Sequence, residues 1–438
     1  ENCHHADAKC LRRVVRRPSG PRRTELPLPA MVRAANLRIR GLYRVAARIS
    51  VSESAVDLTN LISTQSDSAG GTLWQSALRA ATSAGDLRAS FTNHTGGLDP
   101  ARMTRIVIVG AGPEGRRLAD ICKAQGIGLA AIVDDDPTKL GLEISGEVVE
   151  PTSRLADLDR DIPIIIASHR VLNASKRLSA LGFRRVFPFA VLQVLRPDIF
   201  KPHMFYDGWL EDLFENRSHY AWLDAELADA RSHDVLAAVI QFRLTGDPLV
   251  LAPIIDEGRY YQGLYHPQGL FEFSGNEVYV DAGAYDGDSI NWFRERVGDR
   301  YERVIAFEPD PVTYVRLAKN FADEGRIEPI NAGLHRAKTT LHFRNDASRG
   351  AIFSDDGEAS IDVVSLDDVL DGARASYIKM NIEGAEIDAL YGAKNTIRKW
   401  LPKLAISVYH RASDLWRIPQ IVRELSPAYD LYLRQHDG

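Results

Sequence analysis

The sequence predicts an α/β protein built on two parallel sheets, and two stretches of chain carry that prediction. In each, an apolar strand runs into a glycine-rich turn and a helix, and a second strand beyond the helix ends in an acid. The first is Arg105-Ile106-Val107-Ile108-Val109-Gly110-Ala111-Gly112-Pro113-Glu114-Gly115, followed by Gly128 to Val133 and then Asp134. The second is Val278-Tyr279-Val280-Asp281-Ala282-Gly283-Ala284-Tyr285-Asp286-Gly287-Asp288-Ser289, followed by Val304-Ile305-Ala306-Phe307-Glu308-Pro309. A chain of 438 residues exceeds the usual size of one domain, so two domains with peripheral segments are expected.

Residues 1–100 read as a disordered or loosely helical segment. Arginine pairs at Arg12-Arg13, Arg16-Arg17 and Arg22-Arg23 alternate with Pro18, Pro21, Pro27 and Pro29 and lack an apolar stretch of the secretory kind. Residues 31–49 suit one helix, and 50–100, rich in Ser, Thr, Gly and Asp, suit linker or loosely packed helix. A first domain then spans 101–195, with a helix from Arg116 to Gln125, a buried strand from Pro163 to Ala167 and a helix from Leu172 to Leu181. A helical connector spans 196–275, with Phe205, Trp209, Leu213, Tyr220 and Leu223 near one face. Its Tyr260 to Pro267 stretch is either a lid or a structural connector. The second domain spans 276–438.

In the first domain, Gly110, Gly112 and Gly115 stand in the Gly-x-Gly-x-x-Gly pattern, with Asp134 where an acid reaches a ribose in dinucleotide folds. The phrase Asp134-Asp135-Asp136-Pro137, with Gly141 and Gly146-Glu147-Val148, is similar to the small Rossmann-like domain of nucleotide-sugar enzymes. Two readings stand. Either the turn binds NAD(P) or a nucleotide sugar, or it is a docking domain whose glycines serve helix packing.

The second turn is different. Gly283 and Gly287 let the chain bend, the helix opening near Ser289 offers unpaired N–H groups, and Glu308 is placed to accept from both hydroxyls of a ribose. The turn lacks both a dinucleotide and a phosphate-loop pattern, so nothing in it asks for a pyrophosphate. A ribonucleoside without phosphate fits, and S-adenosylmethionine is one. Asp281, Gly283, Ala284, Tyr285, Asp286, Gly287 and Glu308 are the expected cofactor residues.

Further on, Tyr377-Ile378-Lys379-Met380-Asn381-Ile382-Glu383-Gly384-Ala385-Glu386 resembles the Lys-x-Asp-x-Glu-Gly-x-Glu signature of the FkbM family of S-adenosylmethionine-dependent methyltransferases. Ala306-Phe307-Glu308-Pro309, Ser365-Leu366-Asp367-Asp368, Leu404-Ala405-Ile406-Ser407-Val408-Tyr409-His410, Asp414-Leu415-Trp416 and Tyr429 to Arg434 fit it in order. The resemblance implies a class I methyltransferase fold moving a methyl group to a sugar or polyketide hydroxyl. Two departures stand out: Asn381 replaces the usual Asp, and the chain stops just after Tyr429 to Arg434, so it reads as a fragment lacking the final antiparallel strand.

Methyl transfer to an alcohol needs the acceptor held in line and its proton removed. The candidates follow the fourth and fifth strands of the sheet: Asn381 and Glu383, then Tyr409 and His410. His410 is the expected base, because an imidazole titrates near cytoplasmic pH, although a structural histidine is the competing reading. Glu383 is expected to hold the acceptor's hydroxyls or to help bind a divalent cation, and Asn381 in place of a carboxylate weakens the second of these.

Composition narrows the partners. A net charge of -5 gives no electrostatic case for nucleic acid, and no apolar run is long enough to span a bilayer. Cys3, Cys10 and Cys122 have neither metal-ligand spacing nor a disulfide pattern, which points to a reducing cytoplasm. No metal is expected. The expected partner is a glycan or sugar acceptor, with room left for a homo-oligomer. An alternative function is an NAD(P)- or nucleotide-sugar-binding protein whose second domain is an inactive scaffold.

Overall fold

Strand-forming runs of branched apolar residues set both sheets, and in the computed structural model they occupy the positions that the alternation with helices requires. The structure describes residues 73–168, 170–255, 270–344, 352–353 and 359–436. All lie in one of the two units into which the chain divides, Ala55–Gly438. The expectations for residues 1–49 and for Tyr260 to Pro267 lie outside the described residues.

Within the segment read as linker or loose helix, Leu73–Ala80 and Ala84–His94 are helices that bury Trp74, Leu78, Leu87 and Phe91. Ser83 and Asp86 form a reciprocal capping box at the second, satisfying donors that a helix start leaves orphaned. Polar surface residues hid the apolar stripe beneath them.

The first sheet holds β1 (Arg105–Val109), β2 (Gly128–Asp134), β3 (Glu143–Ile144), β4 (Glu147–Pro151), β5 (Ile164–Ile166) and β6 (Val186–Pro188), in the order β3-β4-β2-β1-β5-β6. All neighbours are parallel except the β3-β4 hairpin. Helix Pro113–Gln125 packs Leu118, Ala119 and Cys122 inward and stops at Gly126 in the left-handed conformation. Helix Val171–Ala180 packs on β5 and β6.

Helices Trp209–Glu215, Arg217–Glu226 and Ala230–Thr245 follow as the connector. Trp209, Leu213, Tyr220 and Leu223 are buried as their spacing predicts. Phe205 is instead drawn out toward the second sheet, where its ring meets Tyr409 and His410.

The second sheet holds β7 (Glu277–Ala282), β8 (Tyr301–Phe307), β9 (Ile327–Ile330), β14 (Tyr377–Met380) and β15 (Lys403–Ile406). Between β9 and β14 lie β10 (Gly333–Leu334), β11 (Thr339–Arg344), β12 (Ile352–Phe353) and β13 (Ala359–Val364), which form a small sheet of their own. The main order is β15-β14-β7-β8-β9, parallel throughout. Every residue of β7 and of β14 is buried, as expected for a central strand covered on both faces. Each large apolar side chain so placed contributes roughly 1.5–3 kcal/mol.

The strand-like Tyr429 to Arg434 joins neither sheet. Leu431 bridges Leu227 and Gln435 bridges Ile255, while Arg434 pairs with Asp229 at 2.6 Å and the Leu433 N–H donates to Ser232. Alternating apolar residues there pack on the connector rather than on a strand.

Candidate functional site

The carboxyl ends of β7, β8, β14 and β15 converge on one edge of the second sheet, and the expected site residues gather there. Lys379, on β14, lies directly opposite Asp281 on β7. Its ammonium, 2% exposed, reaches Asp281 Oδ1 at 2.9 Å and the carbonyl of Gly283 at 2.7 Å. Asp281 Oδ2 also accepts from Ser289 Oγ at 2.5 Å. Asp281 is thus wholly committed within the protein and shapes the turn from below. It leaves no exposed oxygen for a ligand.

The two glycines are called for by protein atoms as well as by backbone angle. Gly283 has φ 77, and a Cβ there would lie 2.1 Å from the carbonyl oxygen of Asn381. Gly287 has φ 95, and its Cβ would strike the Phe321 ring. The sequence reading made them room for a ligand. The structure gives them the close approach of the β14 turn and of Phe321.

Ala284 is buried, Asp286 is half-buried with its carbonyl accepting from Asn320, and Tyr285 is exposed at φ 51 with Arg316 over its ring. The Tyr285 N–H donates to Glu308 Oε2 at 3.0 Å, and the Asp310 N–H to Glu308 Oε1 at 3.0 Å. Glu308 has no ion-pair partner among the described residues. Burial pushes its carboxyl above the ordinary glutamate range, against the pull of the two N–H donors. A nearly buried carboxylate with free lone pairs, beside backbone bent back on itself, suits the paired hydroxyls of a ribose.

On the neighbouring strands, Asn381 Oδ1 accepts from Tyr409 Oη at 3.2 Å, and Glu383 sits half exposed in the left-handed conformation, φ 54, just before Gly384. His410 is fully buried under Phe205 and Tyr409. Its Nδ1 lies 3.0 Å from Glu386 Oε1 and its Nε2 3.8 Å from Glu383 Oε2. Burial alone would lower its pKa, but Glu386, Glu383 and Asp414 outweigh that and raise it. Burial and the Glu386 charge push Asp414 up to about 6. Sequence reasoning missed Glu386, Asp414 and Phe205 as neighbours of His410.

In the first sheet, Asp134 accepts from the Ala111 N–H at 2.7 Å and the Asp136 N–H at 2.8 Å, the bonding pattern of Glu308. It differs in one respect: Lys139 pairs with it at 3.0 Å, and its pKa is lowered although burial opposes this. Gly115 is required by packing, since a Cβ would lie 1.9 Å from the Gly110 carbonyl oxygen, and Gly110 itself has φ 107. A Cβ at Gly112 would meet no atom within 4 Å.

Residues 281–437 match the methyltransferase FkbM domain. The crystal structure of methyltransferase FkbM from Methylobacillus flagellatus KT is similar at 26% identity and a TM-score of 0.61, covering 80% of this chain and 96% of that one. A UDP-D-quinovosamine 4-dehydrogenase from Vibrio fischeri aligns at 23% identity over 20% of this chain and 77% of that one, with a TM-score of 0.17. A score so low carries no argument. No curated protein matches the sequence. The parallel strand order, the Lys379 to Glu386 turn and the matched domain agree: residues 281–437 are a methyltransferase FkbM domain, and the chain carrying it is a methyltransferase.

Proposed function

We propose that this chain transfers a methyl group from S-adenosylmethionine to a sugar hydroxyl of a glycan or nucleotide-linked saccharide in the cytoplasm. The observation that carries the cofactor reading is Glu308: 8% exposed, without a cation partner among the described residues, and set beside the Gly283–Tyr285 turn. The fit is to an uncharged diol, since a carboxylate there would repel a phosphate. When bound, the donor supplies an already electrophilic methyl group on sulfonium.

The chain's own work is to hold the acceptor in line, exclude water and take its proton. Asn381, Glu383 and Tyr409 face the mouth of the edge, and Glu383 is the solvent-facing carboxylate among them. We therefore assign Glu383 to the acceptor hydroxyl. His410, named as base from the sequence, is covered completely and backs Glu383 rather than meeting the acceptor.

The test is release of S-adenosylhomocysteine during turnover with a panel of glycans and nucleotide sugars. Glu383→Gln should lower kcat about 10²- to 10⁴-fold with cofactor affinity kept. No turnover by the parent with any sugar, while a non-sugar alcohol is methylated, would overturn the acceptor class.

One observation favours a further ligand in the first sheet. Packing does not explain Gly112, whereas close approach of a nucleotide to the backbone would.

A further inference from the structure

Glu386, His410 and Asp414 arrive from three places: the start of helix Glu386–Gly392, the loop after β15 and the start of helix Asp414–Leu425. One donor atom from each lies within 4.8 Å of the others. The three are sealed, at 1, 0 and 1% exposure. Glu386 Oε1 accepts from the Ile382 N–H at 2.8 Å and Asp414 Oδ2 from the Arg411 N–H at 2.9 Å, so backbone donors fix both carboxylates in place. What remains is unsatisfied. Glu386 Oε2 and His410 Nε2 lack a hydrogen-bond partner, while His410 Nδ1 lies 3.0 Å from Glu386 Oε1.

Two carboxylates buried beside one imidazole cannot both be balanced by a single imidazolium, and buried charges are normally paired or bound to a metal. We propose that Glu386, His410 and Asp414 hold one divalent transition cation, Zn²⁺ or Mn²⁺, in a closed structural site. One imidazole with carboxylate oxygens suits these ions, whereas Ca²⁺ and Mg²⁺ favour six or more oxygen ligands. The second oxygen of Glu386, Oε2, itself without a hydrogen-bond partner, would supply the fourth donor, and with the cluster fully enclosed the ion's work is mechanical. It ties the turn bearing Asn381 and Glu383 to the loop bearing Tyr409. The loop is already held at Ala412, whose carbonyl accepts from the buried Arg243 at 3.0 Å.

The experiment is elemental analysis of the tag-free full chain, with thermal unfolding before and after dialysis against EDTA. About one Zn²⁺ or Mn²⁺ per chain is expected, with a fall of several degrees in Tm on chelation that Zn²⁺ or Mn²⁺ restores and Mg²⁺ does not. Glu386→Gln and Asp414→Asn should each lose the ion and the response to EDTA. Should either variant fail to fold, the metal content and EDTA response of the parent decide the matter. A parent without stoichiometric metal, and with Tm unchanged by EDTA or added cations, overturns the proposal and leaves protons as the counter-charge. Metal retained at full occupancy in folded Glu386→Gln and Asp414→Asn overturns it as well.

Discussion

Glu308 and Lys379 show how one residue's surroundings decide its part. Glu308 is a buried acceptor awaiting donors, so a bound diol should favour its ionised form. Acidification should therefore weaken S-adenosylhomocysteine binding as the pH falls through a pKa raised above 4.5. In Glu308→Gln, titration calorimetry should find this pH dependence gone and affinity at neutral pH down at least tenfold, about 1.4 kcal/mol. Lys379 acts differently, as the counter-charge of a sealed pair. Lys379→Met leaves the Asp281 carboxylate uncompensated and should cost about 3–5 kcal/mol in urea unfolding. Asp281→Leu added to it should recover part of that loss, and a single-variant loss under about 1 kcal/mol would contradict the pairing. The sequence showed that Asp281 matters but not which way it points, because Lys379 lies nearly a hundred residues further along and meets it only through strand register.

At the scale of elements, strand and helix signals were strong wherever a run was apolar throughout. Val278 to Ala282 and Ile106 to Val109 read directly as buried strands, since only a sheet covered on both faces tolerates such runs. Tyr429 to Arg434 looked equally strand-like yet docks on the connector, because alternation reports a half-buried segment and not its partner. The foot of β7 supplies a pH test. Glu277 accepts from Lys403 at 2.9 Å, from the Ser274 N–H at 2.7 Å and from Ser376 Oγ. Burial would raise its pKa, but these partners lower it below the unfolded value of 4.5. Its contribution to stability is therefore present above that value and lost as the pH falls through the folded pKa. Glu277→Gln should lower Tm at neutral pH and converge with the parent in acid, and a gap that persists in acid would point to lost packing instead. In the first sheet, Gly112→Ala should leave Tm within about a degree of the parent, since φ there is -77 and no neighbour intrudes. Clear destabilisation would return this glycine to a packing role.

Across the whole molecule, two glycine-turn sheets were legible because each motif is local, strand to turn to helix. The packing of the connector against the second sheet was not. Arg243 donates to Tyr220 and to Ala412, and Tyr220 to Asp212, a buried chain of polar contacts between segments far apart in sequence. The likeness to the Methylobacillus flagellatus structure extends over four-fifths of the chain, well beyond residues 281–437, so the first sheet and connector belong to the shared architecture. The central claim is that the second sheet binds S-adenosylmethionine, and calorimetric titration of the full chain tests it most directly. S-adenosylhomocysteine should bind at one site per chain with a Kd on the order of micromolar, about -8 kcal/mol, and binding should be lost in Glu308→Ala with the fold retained. Absence of binding by the parent, or undiminished binding in Glu308→Ala, would contradict the account.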